Sequence, residues 1–312
     1  MQRILEPGQI ETFAQRDIPR LRLPDRARVF SARAERLRRQ SEAGAIGHAI
    51  RDYLHLMAHL ADAQQAALES IESRPLELPG DEDIAHAQAF HMPLVSVASW
   101  QRQAQWQQAL ASICSSLTAL PNLPAQVLLV TDHVCALTAQ QLEAQADNLL
   151  AVQPLQVDTA TAPFIMAALQ VYWVALASRT NIDAIHELDV PGVCPTCGTL
   201  PVASIVRADS RHQGLRYLHC ALCATEWHMV RVKCSHCQTT QGISYQSIED
   251  GPRSIRAECC DTCRTYRKIL YQEDDVAVEP VADDLASLSL DLLLSEAGYR
   301  RASPNPLLWQ QP

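Results

Sequence analysis

The chain has 312 residues, 47% of them apolar and 20% charged, enough for one large core and a satellite unit. Its 26 Lys and Arg against 35 Asp and Glu leave a net charge of -9, which opposes long-range attraction of the whole molecule to nucleic acid. Only ten glycines occur, and neither a GxGxxG nor a P-loop pattern is present, so nucleotide binding has no support.

Residues 1–25 carry Pro7, Pro19 and Pro24 without a sustained apolar period and read as an irregular arm. Arginine then accumulates at Arg20, Arg22, Arg26, Arg28, Arg33, Arg36, Arg38 and Arg39. Phe30, Ala34 and Leu37 share one side of the 25–40 stretch, which predicts a first helix with the arginines on a solvated face; a basic partner-binding surface is the alternative. From residue 45, Ile46, Ile50, Leu54, Met57, Leu60, Leu68 and Ile71 recur at three and four and predict one long helix. Pro75 and Pro79 close it, and Asp81, Glu82 and Asp83 suit the start of a short one. His48, His55 and His59 have no adjacent carboxylate pair and read as surface or core histidines.

Trp100, Ala104, Leu110, Ile113, Cys114 and Leu117 predict a helix over 97–120, ended by the PNLP of 121–124. One or two helices fit 125–151. Cys114 and Cys135 stand alone and read as buried hydrophobes, and the adjacent Asp132 and His133 belong to no catalytic motif. The most apolar run, PFIMAALQVYWVALA over 163–177, contains Gln170 and falls short of the roughly 20 residues a spanning helix needs. It reads as a core helix, started by Thr159 or Thr161 with Pro163 in its first turn and running to about residue 179. Residues 25–185 therefore read as five or six helices.

The character changes at Cys194. CPTC (194–197), CALC (220–223), CSHC (234–237) and CDTC (260–263) form a C-x2-C-x22-C-x2-C unit that occurs twice, offset by 40 residues. Two thiols two residues apart grip an ion from a tight turn, and a second such turn completes a tetrahedral four-sulfur shell, so four pairs imply two ions. Equal gaps favour sequential sharing: Cys194, Cys197, Cys220 and Cys223 for one ion, Cys234, Cys237, Cys260 and Cys263 for the other, each unit closing its own small fold. A cross-brace is the competing arrangement. Cys259 makes a CC pair with Cys260, and the CxxC spacing selects Cys260. No secretory leader opens the chain, which argues against a disulfide framework.

Apolar alternation at 202–206, 217–218 and 227–233 reads as short strands carrying the knuckles. Gly198 suits a left-handed turn after the first, Trp227 supplies a small core, and His219 and His236 lie beside complete pairs without replacing a thiol. Residues 190–271 hold ten Lys or Arg against six Asp or Glu, and eight thiolates offset by two divalent ions bring that +4 to about zero. Arg33, Arg36, Trp227 and Arg231 are candidate partner contacts with competing packing roles. In the tail, Val281, Leu285, Leu288, Leu292 and Leu293 trace one side of a helix stopped by Gly298 and expected to return to the helical part; Pro304 to Trp309 suit an extended anchor.

The organisation is thus multi-domain α+β. An arm and helical domain cover 1–185, a tandem metal domain covers 186–271 (modules 190–228 and 229–271), and a C-terminal helix and tail over 272–312 pack on the helical domain. A complete thiolate shell leaves no position for substrate, so a zinc site of this kind is structural, while iron in the same shell passes one electron; sequence leaves iron and zinc open.

YLHCALCATEWHMVRVKCSHC (217–237), AECCDTCRTYRKILYQE (257–273) and VADDLASLSLD (281–291) resemble the formate dehydrogenase accessory, or formation, proteins of bacteria, and the resemblance runs nearly end to end. It implies a cytoplasmic, non-catalytic assembly factor for respiratory formate dehydrogenase, with the enzyme's subunits, the catalytic one in particular, as partners. It further implies an all-α N-terminal domain followed by two rubredoxin-like modules, with the family's paired knuckles falling on the eight cysteines above. The alternatives are a nucleic-acid-binding zinc ribbon, suggested by the arginine cluster and opposed by the net charge, and an electron-transfer or sulfur-handling assembly factor.

Overall fold

A computed structural model describes residues 18–42, 48–72, 75–151, 156–208 and 213–309; residues 1–17 of the arm expected over 1–25 and the side chain of His48 lie outside them. After a two-residue strand β1 (Leu21–Arg22), seven helices precede the first knuckle among the described residues: α1 (Val29–Glu42), α2 (His48–Glu72), α3 (Asp81–Ala89), α4 (Gln105–Thr118), α5 (Ala125–Ala136), α6 (Ala139–Leu150) and α7 (Ala162–Ala177). That is more than the five or six expected. The organising element is α7, apolar on every side except for Gln170, with every one of its sixteen residues buried. α2, α4 and α6 pack on it, and α1 packs on α2. No helix among the described residues is long and apolar enough to cross a membrane.

Two helical expectations are corrected. The helix over 97–120 begins only at Gln105. Upstream, the amides of Val95 and Val97 donate to the carbonyls of Thr196 and Cys197 at 2.8 and 2.9 Å, so this stretch pairs with the first knuckle instead of coiling. Trp100 Nε1 and the Gln103 amide donate to the Tyr172 hydroxyl at 3.0 and 3.2 Å and fix the rest. The tail is not one helix but two, α8 (Pro280–Ala286) and α9 (Leu288–Glu296), broken at Ser287. The break turns Leu290 and Leu294 inward and leaves Leu292 and Leu293 68% and 51% exposed. Val281 and Leu285 join the main core as the stripe suggested, whereas Leu290 and Leu294 pack with Ile205, Ile255 and Tyr266 of the sheet.

The remaining strands are β2 (Pro201–Ala208), β3 (Gln213–Cys220), β4 (Glu226–His228), β5 (Ile243–Gln246), β6 (Ile255–Cys260), β7 (Thr265–Tyr271) and β8 (Arg300–Arg301). Their order is β1-β4-β3-β2-β7-β6-β5, with β8 pairing β7. Pairing is antiparallel within β2-β3-β4 and within β5-β6-β7. At the centre β2 runs parallel to β7, Ser204 opposite Ile269 and Val206 opposite Tyr271. The two repeats are therefore not self-contained ribbons. They share one sheet, and the seam carries a buried Arg216–Glu258 pair at 3.0 Å.

The arginines expected on a solvated face of α1 divide. Arg38 and Arg39 make surface pairs with Asp62 and Glu35, but Arg33 and Arg36 are buried. Arg33 Nε donates to Glu279 at 3.1 Å, and Arg36 reaches Asp283 and Asp275 at 2.7 Å each. Further along the tail, Lys268 meets Asp291 at 2.7 Å and Arg301 meets Asp284 at 2.5 Å. The acidic stretch after β7 thus clamps helical region and sheet together through buried charge. Neither Arg33 nor Arg36 is available to a partner.

Removing one member of a buried pair strands the other, which costs about 3–5 kcal/mol. Urea unfolding followed by far-UV circular dichroism is expected to show Arg33→Met destabilised on that scale and Arg33→Met/Glu279→Leu recovering part of the loss. The remainder reflects the cap that Glu279 gives the Ala282 amide at 2.6 Å. Strictly additive single effects would contradict the pairing.

Candidate metal centres

Each knuckle is a tight turn closed by its own backbone. The Gly198 amide donates to the Cys194 carbonyl at 2.8 Å and the Cys194 amide to the Thr199 carbonyl at 2.9 Å. The same step recurs from Cys220 to Thr225 at 3.0 Å and from Cys234 to Thr239 at 2.9 Å. The turn forces the residue after the second cysteine into the left-handed region: Gly198, Ala224, Gln238 and Arg264 have φ of 82°, 56°, 66° and 53°. Gly198 was the one such position visible as a glycine. At the other three, a side chain sits where it is disfavoured by about 1–2 kcal/mol, a cost offset by closure of the turn.

The turns bring the thiols together in sequential pairs of knuckles. Cys194, Cys197, Cys220 and Cys223 form one cluster and Cys234, Cys237, Cys260 and Cys263 the other, with the sulfurs of each within 4.8 Å of one another. Across the first cluster, Cys194 and Cys223 Sγ lie 3.6 Å apart and Cys197 and Cys220 Sγ 3.4 Å. Across the second, the Cys234–Cys263 and Cys237–Cys260 separations are 3.8 and 3.7 Å. Metal–sulfur bonds of about 2.3 Å arranged tetrahedrally place sulfurs about 3.8 Å apart, so both clusters fit a four-coordinate ion. They do not fit disulfides, whose sulfurs are bonded at about 2.05 Å. Among the described residues each cluster gathers four sulfurs and no further His, Asp or Glu ligand, a set equally suited to zinc and iron.

Polar groups aim at the sulfurs. Amides of Leu222 and Cys223 donate to Cys220 Sγ at 3.4 and 3.3 Å, and those of His236 and Cys237 to Cys234 Sγ at 3.4 and 3.5 Å. The Thr199 hydroxyl lies 3.2 Å from Cys197 Sγ and 3.0 Å from Cys220 Sγ; Thr225 reaches Cys223 at 3.2 Å and Thr265 reaches Cys263 at 3.0 Å. Burial raises the Cys194 thiol well above its ordinary range. Burial also opposes ionisation of Cys220, but hydrogen bonds from the neighbouring thiols and Thr199 outweigh it and hold that thiol well below. At Cys263 burial is again outweighed, by the Thr265 hydroxyl and amide, which bring the thiol to about 7. The amide and hydroxyl donors around each cluster favour the thiolate, the form in which cysteine binds a metal.

The threonines were missed in the sequence, although the signal was present. Every knuckle reads C-x2-C-x-T, with Thr199, Thr225, Thr239 and Thr265 in the same place. Glu226 was also missed. It is buried against Arg207 Nε at 2.9 Å and His219 Nδ1 at 3.0 Å. Burial would raise its pKa, but those two partners pull it down to about 2. His219 of β3 thus pairs with the carboxylate of Glu226, its neighbour across the ladder on β4, and is not one of the four-thiol ligands. Trp227 is buried as expected, its Nε1 donating to the Pro191 carbonyl at 2.9 Å, and so is no partner contact, whereas Arg231 is exposed. Cys259 turns away from the second cluster into the apolar group around Ile255 and Tyr266, and burial pushes its thiol to about 11. Cys114 is buried and Cys135 exposed, so the expectation for Cys135 is corrected.

Known proteins place this architecture. Three family profiles match in succession: "FdhE, N-terminal" over residues 18–189, "FdhE, central domain" over 193–231 and "FdhE, C-terminal domain" over 232–308. The Protein FdhE homolog of Edwardsiella ictaluri is 43% identical over 290 residues, 93% of this chain and 91% of its own length. Protein FdhE of Salmonella paratyphi A is 41% identical over 305 residues, 97% of this chain and 96% of its own. The crystal structure of the FdhE protein from Pseudomonas aeruginosa superposes with a TM-score of 0.83 at 36% identity, covering 94% of this chain and all of that one. The matches run through the helical region and the sheet with its two thiol clusters alike, and the chain belongs to the FdhE family.

Proposed function

We propose that this chain is a non-enzymatic accessory protein for assembly or activation of respiratory formate dehydrogenase, binding immature subunits of the enzyme, the catalytic subunit among them. The observation that carries this reading is the pair of closed thiolate clusters within an FdhE-family fold: four sulfurs around each ion leave no position for a substrate. Cys194, Cys197, Cys220 and Cys223 hold one ion; Cys234, Cys237, Cys260 and Cys263 hold the second. Each ion, iron or zinc, serves to fix the knuckles, and iron would add a one-electron couple. The working division of the chain is the helical domain 1–185, the metal modules within 186–271 and the tail 272–312. Free thiols kept for metal binding suit the reducing cytoplasm, where the reading places the protein.

Metal content tests the ligand sets. Cys194→Ser and Cys260→Ser are each expected to lower the content from two ions to about one per chain, from the first and second site respectively, while far-UV circular dichroism retains most of the helical signal. Cys259→Ser is expected to keep close to two. A larger metal loss from Cys259→Ser than from Cys260→Ser would overturn the assignment.

The functional reading is tested by capture of the tagged chain from cells making formate dehydrogenase. The catalytic subunit is expected to co-purify under assembly conditions and to be depleted once the mature enzyme has accumulated. Persistent absence of any formate dehydrogenase subunit would contradict it. Visible absorption of the anaerobically purified protein separates the metals: reversible bleaching on reduction identifies iron, and a colourless, redox-silent protein identifies zinc.

A further inference from the structure

The two centres share a sulfur geometry but not a setting. In the first, all four cysteines are at most 1% exposed. Residues 93–97 lie over its first knuckle, with Val95 and Val97 bonded to the Thr196 and Cys197 carbonyls and Pro93 against Gly198. Its second knuckle is held by α7, where Gln170 Nε2 donates to the Ala221 carbonyl at 2.7 Å. Threonine hydroxyls lie close to three of its four sulfurs, those of Cys197, Cys220 and Cys223. In the second centre Cys234 and Cys260 are buried, but Cys263 is half-buried and Cys237 exposed, next to an exposed His236. Among the described residues, one threonine hydroxyl, that of Thr265, reaches a sulfur there.

We propose that the second centre is exchangeable and the first permanent, with Cys237 the ligand that yields when a thiol-bearing or chelating molecule takes up the ion. This rests on the ligand sets proposed above. The step is a ligand substitution: the incoming sulfur or nitrogen donor bonds to the ion as the bond to Cys237 Sγ breaks. The departing thiolate takes a proton from water, and the metal keeps its oxidation state. Cys263 follows, then the two buried sulfurs. At the first centre the same approach is blocked on one side by 93–97 and on the other by α7, so substitution there requires prior local unfolding. A small-molecule thiol or a soft ligand of a partner protein is therefore the class of molecule that loads or unloads this protein, and it does so at the side of the second centre where Cys237 and Cys263 reach the surface.

The test uses the full chain loaded with zinc and needs no variant. Excess 4-(2-pyridylazo)resorcinol is added, the released zinc is followed by its colour, and samples are alkylated with iodoacetamide at intervals and mapped by peptide mass spectrometry. The expected release is biphasic: one ion of two leaves at least about ten-fold faster, a ratio in the range that outer-shell support confers on metal sites. Alkylation is expected at Cys237 and Cys263 during the fast phase, with Cys194, Cys197, Cys220 and Cys223 unlabelled and the far-UV spectrum unchanged. Release of both ions at one rate, or earlier labelling of any first-centre cysteine, would overturn the proposal. Fewer than two ions at the start would instead overturn the ligand assignment, and this proposal with it.

Discussion

Gln170 is the point on which the architecture turns. It is a polar residue in the middle of a helix otherwise suited to full burial, and it is itself buried. Its carbonyl oxygen accepts from Gln64 of α2 at 2.9 Å and from Arg33 of α1 at 3.3 Å, and its amide donates to Ala221 inside the second knuckle. A buried amide without partners would be destabilising by about 1–3 kcal/mol, so this side chain selects the one packing in which α1, α2, α7 and a metal knuckle all converge on it. Arg33 extends the network to Glu279 and hence to the tail.

The charged part of that network explains how an acidic tail comes to be an internal element. Glu279, Asp283 and Asp284 are buried; Glu279 and Asp283 face Arg33 and Arg36 of α1, and Asp284 faces Lys268 of β7 and Arg301 from the end of the tail itself. Burial of charge at this density is weak evidence for net stability but strong evidence for registry, because any slip of the tail strands ions in the interior. The tail consequently ties α1 to β7, through Lys268, and fixes the side of the shared sheet on which the helices lie.

The repeat of C-x2-C pairs, their sequential sharing and the central place of the 163–177 run were all legible, because each depends on local spacing or composition. The threonines were equally local and went unread, since one C-x-T looks ordinary and only four in register carry meaning. Arg33 and Glu279 stand 246 positions apart. Nothing in a helical period distinguishes an arginine that meets solvent from one that meets a remote carboxylate. The parallel pairing of β2 with β7 was hidden for the same reason: each strand looks complete within its own repeat, and the pairing appears only when the two repeats are brought together. The late start of α4 likewise reflects a tertiary override, the backbone of 95–97 finding partners in a knuckle a hundred residues away.

An asymmetric molecule results, in which one thiolate cluster is part of the main core and the other sits at the rim of a common sheet. Amide hydrogen exchange on metal-loaded Gln170→Leu, compared with the native chain, tests this coupling most directly. Protection is expected to fall in 219–225 and in the facing turns of α1 and α2, and to stay unchanged in 234–237 and 260–263. Equal loss of protection at both pairs of knuckles, or none at 219–225, would contradict the account of how the helical body holds the first centre.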